Sequence, residues 1–404
     1  MDTNYIFTPG ALTTVLDISA GSSGKGKIGS FVTEHSNSWQ FCCNTFMPQA
    51  GHWVKLDNGK EYFYQTLNSC AYLVDKYEKM YLGPGCTIEL PALKREIDEN
   101  NVPTHKLGIS PIAAILQDID GAFERGEVDL DGKPVSERHT GTMKSGSTCH
   151  GVGACKARKI LRRPNIKLAR DVPELKEFLC DVPGEVIARL KKGQAGLMEV
   201  AQGFQLSYLL AEFYPYCTSR NCTVVAGLDD MMVPTRYIGN VILNIRTFPI
   251  RINNKKFIGD NGKHLTWNDV KAGTPHKVET YNSGPGYDDQ EEIEWEKLTE
   301  MCGSPEPIME MTSVTKLPRR IFTFSKKNLE QAIKHNDTGR GIYLSVNFAN
   351  YVDYALTSAR GGTDKVTDKM KEWLKENILP SCHEHGAELK FLGTGARTDD
   401  MICL

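Results

Sequence analysis

The segment from Leu12 to Lys27 constrains the fold more than any other part of the chain. An apolar run, Leu12 to Ile18, predicts a buried strand, and a helical pattern continues to about His35 after the loop Gly21-Ser22-Ser23-Gly24-Lys25-Gly26-Lys27. Glycines allow backbone N–H groups to converge on phosphate oxygens, and the following helix offers its positive N-terminal end. The strand, loop and helix therefore predict an α/β fold with a phosphate-binding loop.

The loop is a variant of the Walker A pattern. Gly21, four residues and then Gly26-Lys27 fit the front of that pattern, but Ile28 stands where a Ser or Thr is expected. Taken alone, the segment is also compatible with a glycine turn that carries two solvated lysines. The strand-loop-helix context favours the phosphate-binding interpretation.

Strand and helix patterns alternate along the rest of the chain, which predicts a large, mainly parallel sheet flanked by helices. The predicted strands after the first are Leu197–Val200, Val241–Ile245, Arg320–Phe324, Ile342–Val346 and Leu389–Leu392. The predicted helices after the first are Glu89–Glu99, Pro111–Arg125, Glu174–Lys192 and Asp364–Asn377. Residues 257–287 are polar and glycine-rich, so they are expected to form an irregular excursion from a single domain spanning residues 1–404.

Composition limits the partners. A net charge of -2 provides no general basic field, so direct binding of nucleic acid is not expected. No apolar run approaches the roughly 20 residues of a membrane span, and the segment before Gly21 has no Lys or Arg, unlike a secretory signal. The twelve cysteines contain no C-x-x-C pair. These features predict a reduced cytoplasmic protein without a membrane partner.

The loop resembles the opening motif of adenylosuccinate synthetases, Gly-Asp-Glu-Gly-Lys-Gly-Lys, and further matches follow in the family's order. Gln49-Ala50-Gly51-His52 resembles Asn-Ala-Gly-His, and Ser147 to Gly153 resembles Thr-Thr-Gly-Arg-Gly-Ile-Gly. The block from Ala201-Gln202-Gly203 to Asn221 resembles Ala-Gln-Gly through Tyr-Pro-Tyr-Val-Thr-Ser-Ser-Asn. Other matches are Thr312 to Arg320, resembling the Thr/Arg aspartate loop, and Gly393 to Thr398, resembling Ser-Thr-Gly-Pro-Asp-Arg-Thr. The resemblance spans residues 12 to about 402.

The resemblance implies a ligase with three substrates and Mg²⁺. The residues implied to bind the triphosphate are Gly21, Ser23, Gly24, Lys25, Gly26, Lys27, Asn350, Asp353, Gly393, Thr394 and Gly395. Those implied for the purine monophosphate are Ser22, Gln49, Thr148, Arg162, Gln202 and Thr218, and those for L-aspartate are Thr312, Ser313, Thr315, Arg319 and Arg320. The implied catalytic residues are Ser22, Lys25, His52 and Gln202. Gly51 and Ser22 would face the metal, and Arg162 would reach the partner subunit of a homodimer.

Ser22 departs from the family pattern in a chemically informative way. It stands where the family has an acid that takes the N1 proton of IMP and helps to hold magnesium. The shorter side chain leaves room beside C2 of the purine, where guanine carries an amino group that hypoxanthine lacks. The serine hydroxyl can accept a hydrogen bond from that amino group. The change therefore favours a guanine substrate.

Two further departures concern the sugar and the triphosphate base. Leu317 stands opposite a family arginine that approaches the ribose 2′-hydroxyl, and an apolar side chain suits a 2′-deoxyribose. Asn350 replaces the Asp that accepts two guanine protons from GTP. An amide has one donor and one acceptor, which suits N1 and the 6-amino group of adenine. ATP or dATP is therefore the expected donor.

The three departures match the viral branch of the family. That branch joins L-aspartate to C6 of dGMP with ATP or dATP, through a 6-phosphoryl intermediate. The product, N6-succino-2-amino-2′-deoxyadenylate, is a precursor of diaminopurine in viral DNA, and the implied location is the host cytoplasm. Three alternatives remain open from the sequence: a conventional IMP-dependent synthetase, a GTPase-like switch and a catalytically silent nucleotide-binding protein.

Overall fold

Leu12–Asp17 forms the central strand of a nine-stranded sheet in the computed structural model, which describes residues 2–136, 147–210, 212–260, 265–312 and 316–404. The strands are, in chain order, β1 Leu12–Asp17, β2 Phe41–Asn44, β3 His52–Lys55, β4 Glu61–Tyr64, β5 Lys79–Leu82, β6 Thr87–Ile88, β7 Leu107–Ile109, β8 Ala114–Ile115, β9 Lys167–Leu168, β10 Gly196–Gly203, β11 Ile238–Arg246, β12 Ile250–Arg251, β13 Lys255–Gly259, β14 His276–Thr280, β15 Glu292–Ile293, β16 Arg320–Phe322, β17 Ile342–Asn347, β18 Glu388–Gly393 and β19 Met401–Cys403. The large sheet has the order β19-β18-β17-β11-β1-β10-β2-β5-β7, and its neighbours are parallel except for β19 against β18.

Helices connect and cover these strands. They are α1 Lys25–Glu34, α2 Leu90–Asn100, α3 Asp118–Glu124, α4 Val152–Ile160, α5 Val182–Lys191, α6 Val224–Met231, α7 Trp267–Lys271, α8 Trp295–Cys302, α9 Lys326–Asn336, α10 Asp368–Asn377 and α11 Leu379–His385. All six residues of β1 are buried, as expected for a strand covered on both faces. Leu16 packs into one large apolar cluster and Val15 into another, so the two faces of the sheet carry separate cores.

The carboxyl ends of four neighbouring strands form the edge of the sheet where the site is assembled. The last residue of β1 is Asp17, and β11 and β17 end at Arg246 and Asn347. Gln202 lies at the end of β10, on the other side of β1. Ligands of parallel α/β sheets bind outside this edge, so the fold brings these segments together despite their separation in sequence.

Three of the predicted helices have different bounds. The segment predicted as Pro111–Arg125 contains β8 before α3, and Gln117 and Asp120 form a capping box that starts the helix at Asp118. The segment Glu174–Lys192 is divided into a 3-10 stretch, Pro173–Phe178, and α5. Pro183 lies in the first turn of α5, where its missing N–H costs no hydrogen bond, and Asp181 caps that turn. The last predicted helix begins at Asp368 rather than Asp364 because Thr367 caps it.

The glycine-rich excursion is more regular than predicted. Strands β13 and β14 form an antiparallel pair in which Phe257 lies opposite Val278, and α7 lies between them in the chain. The predicted strand Arg320–Phe324 is shorter, and it belongs to a small antiparallel sheet with β12 and β15 rather than to the large sheet.

The state of the cysteines and the length of the helices are also visible in the structure. The twelve cysteines carry free thiols. Within the described ranges, no helix is long and apolar enough to cross a membrane.

Candidate active site

The phosphate loop depends on glycine at two positions. Gly24 has φ of 92° and forms the N-cap of α1, without a side-chain cap on the first N–H groups. A Cβ on Gly26 would lie 3.0 Å from the Trp53 carbonyl oxygen and 3.3 Å from the Cβ of His52. Glycine therefore allows the left-handed turn and the close approach of strand β3. The start of α1 is left open for an anion, as the sequence predicts.

Lys25 joins the loop to the neighbouring strands. The residue is 2% exposed, and its Nζ donates a 2.9 Å hydrogen bond to the backbone carbonyl of Gln202. It also lies 3.6 Å from Oδ2 of Asp17, whose Oδ1 accepts a 2.6 Å hydrogen bond from Asn244. Burial raises the pKa of Asp17, while Lys25 and Asn244 oppose that rise. Lys25 is thus a buried cation held at the junction of β1 and β10.

Lys27 joins the loop to the C-terminal segment. Its Nζ donates to the carbonyls of Gly395, at 2.8 Å, and Asp400, at 2.6 Å. Burial lowers the pKa of Lys27 to about 7. A Cβ on Gly393 would lie 3.1 Å from the Lys27 Nζ. The two segments that the sequence assigns to the triphosphate are therefore in contact.

His52 stands at the start of β3, next to the loop. Its ring is half-buried and stacks on Phe46, with ring centroids 4.1 Å apart and planes inclined by 21°. Burial and the charge of Lys25 hold the pKa of His52 well below its usual range. The imidazole is therefore neutral at neutral pH in the protein without its substrates.

A cavity of about 660 Å³ brings together four residues that the sequence assigns to the monophosphate: Gln49, Thr148, Gln202 and Thr218. Gln49 Nε2 donates a 3.3 Å hydrogen bond to Thr218 Oγ1. Gln49 Oε1 and Gln202 Nε2 are buried without a hydrogen-bond partner among the described residues. The cavity thus presents an acceptor from Gln49 and a donor from Gln202 to a polar ligand. The four residues come together although Gln49 and Thr218 are far apart in sequence.

Two charged residues of the cavity have no counterpart in the sequence predictions. Glu124 accepts 2.9 Å hydrogen bonds from the N–H groups of Gly151 and Gly153, at the start of α4. Arg251 is 6% exposed and donates to the carbonyl of Pro285. Burial and the charge of Arg320 lower the pKa of Arg251 to about 10, so it remains a cation at neutral pH. Neither residue belongs to a recognisable motif, since each reaches the cavity through tertiary packing.

Several predicted residues lie away from the cavity lining. Ser22 is exposed, and its carbonyl accepts a 3.0 Å hydrogen bond from Arg246. Arg162 is exposed just beyond the end of α4. Leu317 is 2% exposed and is packed within the chain, outside the cavity lining. The apolar residues that do line the cavity include Val152, Leu206 and Ile252.

The aspartate loop is described in part, because Ser313 and Thr315 lie outside the described residues. Thr312 Oγ1 accepts a 3.0 Å hydrogen bond from the N–H of Leu317. Arg320 is engaged by both oxygens of Glu292, at 2.7 and 2.5 Å. Arg319 donates a 3.1 Å hydrogen bond from Nε to the carbonyl of Met311. Arg319 is therefore better placed than Arg320 to offer a guanidinium to a carboxylate ligand.

Asn350 lies in a 3-10 turn, Ala349–Tyr351, that directly follows β17. The side chain of Asp353 accepts a 3.2 Å hydrogen bond from the N–H of Ala355, which fixes the next turn. Thr394 is buried and donates to the carbonyl of Ala359, at 2.6 Å. The residues assigned to the triphosphate base thus lie on loops that follow β17 and β18.

The residues predicted to face a metal supply neutral oxygens. Gly51, directly before β3, would offer its backbone carbonyl, and the exposed residue Ser22 would offer its hydroxyl. In the part of the chain that the structure describes, no three His, Cys, Asp or Glu side chains are grouped to hold a metal ion. This donor set suits a Mg²⁺ ion that is held mainly by substrate phosphates.

Comparison with known proteins identifies relatives of the chain. A family model described as adenylosuccinate synthetase matches residues 14–170. The N6-succino-2-amino-2′-deoxyadenylate synthase of Vibrio phage phiVC8 is 30% identical over 396 residues, which cover 96% of each chain. The adenylosuccinate synthetase of Archaeoglobus fulgidus is 30% identical over 232 residues, 57% of this chain and 64% of that protein.

Solved structures agree with these relatives. The succinoaminodeoxyadenylate synthetase of cyanophage S-2L, bound to dGMP and dATP, matches with a TM-score of 0.70 and 26% identity over 97% of this chain and 94% of that chain. The fully ligated adenylosuccinate synthetase of Plasmodium falciparum has a TM-score of 0.69 at 17% identity, covering 98% of this chain and all of that one, which establishes the shared fold.

Together, the fold, the lysine-bearing loop and the relatives define a ligase that uses nucleotides. The chain belongs to the adenylosuccinate synthetase family. Its phage relatives match it over more of its length than the archaeal synthetase does. The resemblance and the fold class predicted from the sequence are therefore confirmed.

Proposed function

We propose that this chain joins L-aspartate to C6 of dGMP, using ATP or dATP, to give N6-succino-2-amino-2′-deoxyadenylate. The observation that carries the proposal is the convergence of Gln49, Thr148, Gln202 and Thr218 on one cavity beside the buried cation Lys25. Full-length similarity to a phage synthase of that name, and to a synthetase structure that holds dGMP and dATP, supports the choice of substrates.

The reaction proceeds in two displacements. The guanine O6 attacks the γ-phosphorus, ADP or dADP leaves, and the N1 proton of the guanine is released. The aspartate amine then attacks C6, loses a proton and displaces inorganic phosphate, a far better leaving group than the original oxygen. Lys25, which belongs to the loop and contacts Gln202, neutralises charge on the phosphoryl group during transfer. His52 donates its single N–H to the same group.

The monophosphate binds in the cavity. Thr148 and Thr218 donate to its phosphate, as does Gln49 through the second N–H of the Nε2 that already bonds to Thr218. Arg251 adds a buried positive charge that offsets Glu124. The side-chain amide of Gln202 contacts the 6-position of the guanine. The backbone of Gln202 is held in place for this contact, because its carbonyl accepts a hydrogen bond from Lys25. We place the 2-amino group of the guanine against the hydroxyl of Ser22, which requires the base to extend beyond the cavity lining, past Ala20, towards the phosphate loop.

The active form is a homodimer in which Arg162 completes the partner's phosphate site. Arg162 is exposed beyond α4 and directly follows two exposed apolar residues, Ile160 and Leu161, which are 75% and 54% exposed. An apolar surface beside a guanidinium suits a buried subunit interface. Burial of Ile160 and Leu161 against a second copy would place Arg162 at the boundary between two active sites.

The Gly51 carbonyl and the Ser22 hydroxyl would face a Mg²⁺ ion bound together with the triphosphate. When bound, the ion neutralises charge on the phosphates. The residues of this chain orient the reacting groups: the open start of α1 holds phosphate oxygens, and Lys27 keeps the C-terminal segment against the loop. Aspartate binds to the loop that contains Thr312 and Arg319.

A substrate panel tests this proposal. Purified protein is incubated with L-aspartate, one of dGMP, GMP or IMP, and one of ATP, dATP or GTP, and the products are identified by mass spectrometry. We expect a succinylated product from dGMP with either adenine triphosphate. Succinylation of IMP alone would identify a conventional synthetase, and triphosphate hydrolysis that needs neither aspartate nor monophosphate would identify a GTPase-like protein.

A further inference from the structure

Arg246 is a fully buried arginine at the carboxyl end of β11 that has no place in the reaction described so far. Its Nη1 donates a 3.0 Å hydrogen bond to the carbonyl of Ser22, in the phosphate loop. Its Nε donates a 2.7 Å hydrogen bond to the carbonyl of Phe248, which fixes the plane of the guanidinium. One edge of the group is therefore attached to the segment that holds the phosphates and the guanine.

The other edge of the guanidinium is attached to the aspartate loop. Nη2 donates to Oε1 of Glu310, and the resulting ion pair lowers the pKa of that carboxyl against the effect of burial. The Glu310 carbonyl accepts a 2.9 Å hydrogen bond from the N–H of Arg319. Arg246 thus reaches the aspartate-binding arginine through one intervening residue.

The flat face of the Arg246 guanidinium packs against the segment that carries Asn350, the residue assigned to the base of the triphosphate. The guanidinium carbon of Arg246 lies 3.6 Å from the ring centroid of Phe348, two residues before Asn350. Tyr351, directly after Asn350, donates a 2.7 Å hydrogen bond to Oε1 of Glu310. Asn350 is therefore flanked by two aromatic side chains that both contact the Arg246–Glu310 pair.

We infer that Arg246 is a positioning residue that couples the three substrate sites. Arg246 is fully buried and the side chain of its partner Glu310 is 24% exposed. Such a pair gains little net stability, because desolvation opposes the attraction between the charges. Arginine offers five donors in a rigid plane and an aromatic-stacking face, whereas lysine offers a single ammonium group. Ordering any one of the three segments therefore orders the other two, and each substrate strengthens the binding of the next. The inference rests on the proposed function for the identity of the ligands.

Calorimetry on the full-length protein measures this coupling. The Kd of the non-hydrolysable ATP analogue adenylyl imidodiphosphate, with Mg²⁺, is determined without and with saturating dGMP. We expect dGMP to tighten the binding of the analogue by about fivefold or more in the wild type. Arg246→Lys should remove most of this factor, and Phe348→Leu, which deletes the stacking contact and leaves the hydrogen bonds of Arg246 in place, should reduce it.

Arg189→Met is the matched control. Arg189 pairs with Glu78 and donates to Tyr81, at the amino ends of the strands and away from the site. It should lower stability without changing the coupling factor. Far-UV circular dichroism and thermal melting confirm that each variant is folded, and if Arg246→Lys does not fold, Phe348→Leu decides the outcome.

The inference is overturned if a folded Arg246→Lys or Phe348→Leu variant keeps the wild-type factor, or if the wild type shows no coupling. Failure of the proposed function has a different signature. In that case IMP rather than dGMP would tighten the binding of the analogue in the wild type, and the role of Arg246 would be judged from the factor measured with IMP.

Discussion

Nζ of Lys25 lies 2.9 Å from the backbone carbonyl oxygen of Gln202, and this contact joins the triphosphate loop to the monophosphate cavity. In the proposed reaction the phosphoryl group crosses between two substrates at this place, beside the ammonium group of Lys25. Because Asp17 lies 3.6 Å from the same ammonium group, the charge is balanced when no phosphate is present. We therefore expect Lys25 to have a structural role, through its pair with Asp17, and a functional role in phosphoryl transfer, and the two roles can be separated experimentally.

Replacement of Lys25 separates its structural role from its role in phosphoryl transfer. Lys25→Met should lower kcat by about 10²–10³, the usual cost of losing one preorganised electrostatic contact. It should also destabilise the fold by about 3–5 kcal/mol, since Asp17 becomes an unpaired buried charge. Adding Asp17→Asn should restore most of the free energy of unfolding, measured with denaturant, without restoring the activity. Recovery of activity in the double variant would show that Lys25 acts only through the fold.

The depressed pKa of Lys27 predicts proton uptake when the triphosphate binds. In the free protein this pKa is about 7, so the amine is mostly neutral at pH 8. Nearby phosphates favour the charged form and raise the pKa towards its ordinary value, so binding at pH 8 should take up about one proton. Titration of adenylyl imidodiphosphate in two buffers of different ionisation enthalpy measures the uptake. Equal apparent enthalpies in both buffers would contradict it, and Lys27→Met should abolish the difference.

The proposed homodimer, in which Arg162 serves the partner's site, predicts complementation between inactive variants. Arg162→Ala and Lys25→Met should each be inactive alone. A mixed dimer contains one site with its own Lys25 and a partner-supplied Arg162, so random exchange should restore about a quarter of the sites. Phosphate release from the mixture measures the recovery, and native mass spectrometry verifies that subunits have exchanged. Exchange without recovery would place Arg162 outside the partner's site.

In the proposed function, Asn350 selects the base of the triphosphate. Asn350→Asp replaces a donor-acceptor pair with two acceptors, so the variant should lose ATP affinity by about 1–3 kcal/mol and bind GTP better. Competition binding with the two triphosphates reports the change, and Asn350→Ala separates loss of the hydrogen bond from charge repulsion. Unchanged selectivity in the Asp variant would show that another residue reads the base.

The sequence predicted those parts of the fold that depend on local patterns. The buried run before Gly21 and the glycines of the loop predict β1 and the open start of α1, and the structure confirms both. The division of the segment Glu174–Lys192 was missed, because its apolar periodicity continues across a proline that starts a second helix. The pairing of β13 with β14 was missed because β14 is mostly polar and largely exposed, so it has no apolar pattern of a buried strand.

The candidate site was predictable only where a motif identified it. Gln49 and Thr218 were assigned from the resemblance and meet in the cavity, although their roles remain predictions. Glu124, Arg246 and Arg251 could not be found in this way, because sequence spacing does not indicate which strand end or helix end they face. Their contacts follow from the strand order of the sheet and from loop packing, and both depend on residues far apart in the chain.

The substrate preference tests the central claim most directly, and it depends on Ser22. The measurement is kcat/KM for dGMP and for IMP, in the wild type and in Ser22→Asp, because the ratio reports differential stabilisation of the two transition states. The wild type should prefer dGMP. Ser22→Asp should lower the ratio of dGMP to IMP, since a carboxylate crowds the 2-amino group of guanine. A wild-type protein that prefers IMP would contradict the account and leave a conventional adenylosuccinate synthetase in its place.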